Sequence, residues 1–75
     1  MKNANCFYLR MLPTTKSDRV KAMCSNFGLT VVAVDSPHAV LQLKNVASRK
    51  NVEEKLTKCA LFSQVTFVGN FNIEH

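Results

Sequence analysis

Glycine is scarce in this 75-residue chain, with only Gly28 and Gly69 present. That excludes a glycine-rich loop whose successive backbone N–H groups would cradle a phosphate. Cysteine is scarce too. Cys6, Cys24 and Cys59 are odd in number and show no CxxC spacing. A small secreted domain normally carries an even-numbered disulfide framework, so an intracellular, reducing, cytoplasmic setting is expected. No apolar run approaches the roughly 18 residues of a membrane span, and no membrane contact is expected. The opening Met1-Lys2-Asn3-Ala4-Asn5 is polar and Arg10 interrupts the apolar stretch behind it. That is no secretory h-region, and the chain is expected to be soluble and unprocessed. Repeats, low-complexity tracts and linkers are missing as well. Residues 1–75 therefore read as one small domain, burying about 60% of its unfolded surface.

What the chain does have is apolar content of 47% and ten Lys/Arg against five Asp/Glu, a net charge of +5. The first figure suits a folded globule. The second suggests an anionic partner, nucleic acid being the commonest, or simply solubility. No basic run exceeds two residues, which excludes a basic tail.

The first strand is predicted from alternation. Phe7, Leu9 and Met11 share one face, while Tyr8 and Arg10 share the other, and Pro13 ends the run. A helix follows, with Thr15 and Asp18 spaced as a capping box. Its apolar stripe is Val20, Met23, Cys24 and Phe27, and Gly28 stands at the expected left-handed cap. Residues 29–34 are apolar and β-branched, a second strand. The turn Asp35-Ser36-Pro37-His38 leads to a third, in which Ala39, Leu41 and Leu43 alternate with Val40, Gln42 and Lys44. The turn is short enough for a hairpin. Ser48 is the expected cap of a second helix with the stripe Val52, Leu56 and Cys59 or Ala60. Early Glu53 and Glu54 and late Lys58 complement its dipole. Residues 64–71 form the last strand, with Val65, Phe67 and Phe71 on the core side and Gly69 marking a bulge.

The order βαββαβ predicts an α+β fold, the ferredoxin-like split-βαβ sandwich: a four-stranded antiparallel sheet with two helices on one face. The other face would display Tyr8, Arg10, Gln42, Lys44, Thr66, Val68 and Asn70. This layout resembles RNA-recognition-motif domains, which stack bases on sheet aromatics. The third strand, His38-Ala39-Val40-Leu41-Gln42-Leu43-Lys44, lacks that family's K/R-G-F/Y-G/A-F-V-x-F/Y signature. Only Tyr8 offers a ring, and stacking contributes about 1–3 kcal/mol per base, too little from one residue.

Two further features bear on function. Lys16 and Arg19 open the first helix, and Arg49 and Lys50, near Lys44, open the second. Cations there oppose the dipole, which is either an anion site or a solvated basic turn. Residues 61–73 carry no charge at all. They include the whole predicted fourth strand, an edge, and uncharged edges are templates for strand addition. Catalysis finds no constellation: Asp35 and His38 share a turn without a nucleophile, and His75 is terminal. Cys24 and Cys59 read as core. Cys6, Cys24, Cys59 and His38 lack zinc-ligand spacing, so neither metal nor small-molecule cofactor is expected.

The sequence thus predicts a small non-catalytic protein-binding module, an adaptor, inhibitor or subunit. It would act on a larger protein, or pair with itself, through the exposed edge strand and open sheet face. A stand-alone domain this small suits a virus-encoded effector. The alternative is a nucleic-acid-binding module, with Arg10, Lys44, Arg49 and Lys50 contacting phosphates.

Overall fold

Alternating apolar residues need a roof on one side only, and the chain builds one. The computed structural model describes the backbone of residues 3–72 and the side chains of residues 4–69. Its elements are β1 (Asn3–Met11), α1 (Ser17–Phe27), β2 (Leu29–Asp35), β3 (His38–Leu43), a 3₁₀ turn (Val46–Ser48), α2 (Arg49–Lys58) and β4 (Phe62–Asn72). All strand pairs are antiparallel, in the order β2-β3-β1-β4. This is the ferredoxin-like split-βαβ arrangement, with β3 and β1 central and β2 and β4 at the edges.

One face of the sheet holds the core. Phe7, Leu9, Met11, Ala39, Leu41 and Leu43 meet Val20, Met23 and Cys24 of α1 and Val52 and Leu56 of α2. Val65 and Phe67 of β4 pack against this cluster while half-buried. Each fully buried Leu or Phe contributes about 1.5–3 kcal/mol relative to exposure. The side chain of Phe71, expected on this side, lies outside the described residues. The expected bulge is present: the β1–β4 register shifts between the pairs Ala4–Phe71 and Cys6–Val68, setting Gly69 and Asn70 against Asn5.

The helix starts depart from expectation. Lys16 is the N-cap of α1, with no side-chain capping bond. Thr15 instead is buried and donates its hydroxyl to the Leu61 carbonyl at 2.7 Å. The same carbonyl accepts from Leu12 N at 3.0 Å, which ties the β1–α1 loop to the start of β4. A tertiary acceptor has outcompeted the local one. Asp18 still lies in the first turn, where the dipole favours it. Ser48 makes no side-chain cap either. The 3₁₀ turn moves capping upstream, so Asn45 accepts from Ala47 N at 3.0 Å and Ser48 donates back to Asn45 O at 2.8 Å. Glu53 and Glu54 fall beyond the first turn of α2, which has no acidic residue.

The helix ends are simple. Gly28 takes φ 69° and its N–H bonds the Cys24 carbonyl. After α2, Cys59 is the C-cap, and Ala60 turns the chain with φ 60°. Ala60 is exposed and takes no part in the inward stripe, whereas Cys59 packs on the core.

Candidate docking face and edge

Pairing registers assemble the open face in three rows. Running from β2 to β4, the first is Asp35, His38, Arg10 and Gln64. The second is Ala33, Val40, Tyr8 and Thr66. The third is Thr30, Gln42, Cys6 and Val68. The second and third rows contain no ionisable group except a phenol and a thiol. Within these rows charge is confined to the hairpin end, while Lys44 stands past the third row at the other end.

Of the residues expected here, Tyr8, Arg10, Gln42, Thr66 and Val68 come together. Lys44 is exposed just past the end of β3. The side chain of Asn70 lies outside the described residues. Arg49 and Lys50 are elsewhere, because α2 roofs the opposite face. The Arg49 guanidinium sits 4.0 Å over the Phe67 ring, and Phe67 meets Phe7 edge-on at 5.4 Å. Arg49 also pairs with Glu53 at 3.7 Å, and Lys58 with Glu54 at 2.6 Å. Both pairs are exposed, and such pairs contribute about 0.3–0.5 kcal/mol on a helix. They nevertheless spend locally the charge a phosphate would need.

Of the residues on this face that the sequence reasoning did not place there, two matter most. His38 belongs to it, with its Nδ1 2.7 Å from the Tyr8 hydroxyl and the rings 5.7 Å apart. The bond can be made in either direction, with the phenol donating to Nδ1 or Nδ1–H donating to the phenol oxygen, according to the ring tautomer. Strand parity alone could have placed His38 beside Arg10, but only the β1–β3 register brings it to Tyr8. Cys6 is the other. It lies on this face between Gln42 and Val68, yet it is wholly buried. Burial pushes its thiol pKa up, and does the same to Cys24 in the core. All three cysteines are free. With Cys6 and Cys24 on opposite sides of the sheet, they share no site. Among the described residues, no group of three His, Cys, Asp or Glu is placed to hold a metal ion.

The two edges differ. β2 pairs only with β3, shifts register at Val32, and ends on exposed Asp35. Among the described residues β4 pairs only with β1, and its sequence Phe62–Asn72 has no charge. Its register is regular over residues 64–68 and shifts on either side. Edges are normally blunted by charge, proline or a bulge, and only the last of these guards β4. Among the described residues, no helix is long and apolar enough to cross a membrane. Comparison with protein-family models, curated proteins and solved structures found no match.

Proposed function

We propose that this chain is a small non-catalytic protein-binding module that docks on a larger protein through the β4 edge and the adjoining open sheet face. One observation carries this reading: two adjacent rows of the open face are neutral, and they run without a break onto an uncharged edge. An extended segment of the partner would add to β4 through backbone hydrogen bonds, and its alternate side chains would lie on the open face. Area sets the need for both surfaces. Strands about 4.8 Å apart and rows extending about 14 Å make the face a few hundred Å². A standard interface takes about 800 Å² from each partner, so the face alone is too small.

Nucleic-acid binding is disfavoured because its cations are divided. Arg10 and Lys44 are at different ends of β3's neighbourhood, while Arg49 is over Phe67 on the helical side. Catalysis is disfavoured because, among the described residues, the side-chain hydrogen bond of His38 goes to the Tyr8 phenol and none joins it to a serine, threonine or cysteine. Three free thiols favour a reducing, cytoplasmic setting.

The test is affinity capture from lysate at low and high salt, with and without nuclease, using the native chain and Thr66→Lys. A protein partner retained in high salt after nuclease, and lost with Thr66→Lys, is the expected result. Capture that vanishes with nuclease or falls steeply with salt would instead mark a phosphate-backbone ligand. If light scattering finds a native dimer that Thr66→Lys dissociates, the edge is met by a second copy rather than by a larger protein.

A further inference from the structure

We propose that the corner of the open face formed by Arg10, His38 and Tyr8 is an anion subsite, which takes a phosphate or carboxylate side chain of the docked protein segment. It rests on the docking reading above and names the chemistry of one position in the partner.

Three features converge. First, Arg10 is exposed and lies directly between His38 on β3 and Gln64 on β4. Cross-strand neighbours are about 5 Å apart, so one oxyanion can reach all three side chains. Second, the Tyr8–His38 hydrogen bond holds the exposed imidazole on this face, and in the tautomer whose Nδ1 accepts from the phenol the ring offers Nε2–H to a ligand. Arg10 adds a planar fork of donors suited to two oxygens at once. The Gln64 amide donates one proton to Thr66 Oγ1 at 3.3 Å and has a second to offer. Third, the backbone beneath is pinned, since Ser63 donates its hydroxyl to the Arg10 carbonyl at 3.3 Å, at the β1–β4 register shift.

The nearby acid does not cancel this charge. Asp35 stands directly across from His38 on the same face, about 5 Å away, and so opposes an anion at the imidazole, but β3 lies between it and Arg10, which carries the charge of the site. Two strand spacings make about 9.6 Å. That is close to the Debye length of about 8 Å at physiological salt, so exposed charges are largely screened from each other. Arg10 takes no part in the ion pairs Arg49–Glu53 and Lys58–Glu54. Charge complementarity therefore commits the occupant of this corner to an anion, next to neutral rows that suit a polypeptide better than a polyphosphate.

The experiment is an NMR titration of the isotope-labelled full chain with phenyl phosphate, with benzoate, and with benzyl alcohol as the neutral control. Saturable shifts of the Arg10 Nε–H and His38 ring signals are expected with one or both anions and not with the alcohol. The better-binding anion identifies the group. Arg10→Gln should weaken binding at least about tenfold, as loss of a charge-assisted pair predicts. Tyr8→Phe should weaken it about two- to tenfold by freeing the imidazole. Shifts spread equally over Arg19, Lys44 and Lys50, or an Arg10→Gln variant that binds as well as the native chain, would overturn the subsite. So would a single-stranded oligonucleotide that occupies the same signals more tightly and with a steep salt dependence. The two proposals fail separately. A captured partner that survives Arg10→Gln at native affinity but not Thr66→Lys removes the subsite and leaves the docking reading. Retention by Thr66→Lys removes the docking reading, even where phenyl phosphate still binds.

Discussion

Phe7 and Tyr8 are adjacent in sequence and differ in fate. Phe7 is wholly buried under the helices, while Tyr8 is half-buried on the open side and bonded to His38. The same contrast runs through β3, where Leu41 is sealed and Gln42 is not. Alternate residues of the same strands therefore do different work. One set holds the fold; the other is available for contact. The teaching is that stability and recognition should separate by strand parity, with Cys6 as the exception, since it is wholly buried although its register places it on the open side.

The sharpest way to break that contrast is to cut one residue from each face. Leu41→Ala or Leu56→Ala should lose about 2–5 kcal/mol in urea unfolding, because each leaves a cavity in the core. Thr66→Lys should change stability by no more than about 0.5 kcal/mol, as exposed substitutions usually do. Comparable losses from the two faces would contradict the division. Next in size is the joint between the layers. Thr15→Ala removes a part-buried hydrogen bond to the Leu61 carbonyl, at a cost of about 1 kcal/mol. Asp18→Ala removes only a dipole interaction and should cost a few tenths of that, whereas a capping box would make the two losses similar. Ala60→Gly should stabilise by about 0.5–1 kcal/mol in the same assay, since a left-handed backbone strains any side chain.

The thiols give the smallest effects and probe the exception. Cys6 and Cys24 should resist alkylation in the native chain while half-buried Cys59 reacts first. Val68→Ala should speed labelling of Cys6 and leave Cys24 unchanged, as they occupy opposite faces. Both protected thiols have raised pKa values. The native state thus holds protons that the unfolded chain releases near the ordinary thiol value of about 8.5. Their contribution is intact below that pH and declines as pH rises through it. Unfolding curves from pH 7 to 10 should show this slope, shallower in Cys6→Ala.

Much of this was legible beforehand, and the reason is periodicity. Alternation at Phe7, Leu9 and Met11, the stripe from Val20 to Cys24, and Gly28 are local signals, and element order then limits the topology. Apart from the local 3₁₀ turn that displaces Ser48 as a cap, the missed features depend on a partner distant in sequence. Thr15 carries a capping pattern, but its acceptor is 46 residues away. His38 reaches Tyr8 across 30 residues, through a register that no local pattern encodes. Arg49 at a helix start gives no sign that it will cover Phe67. Even the neighbours of Cys6, Gln42 and Val68, reach it only through strand register.

The most direct test of the docking account is amide hydrogen exchange of the labelled chain with and without the partner it captures. The account predicts new protection along residues 62–68 and over Tyr8, Arg10 and Gln42, with the outer sides of α1 and α2 unchanged. Protection confined to the helices, with β4 amides exchanging as in the free chain, would contradict it.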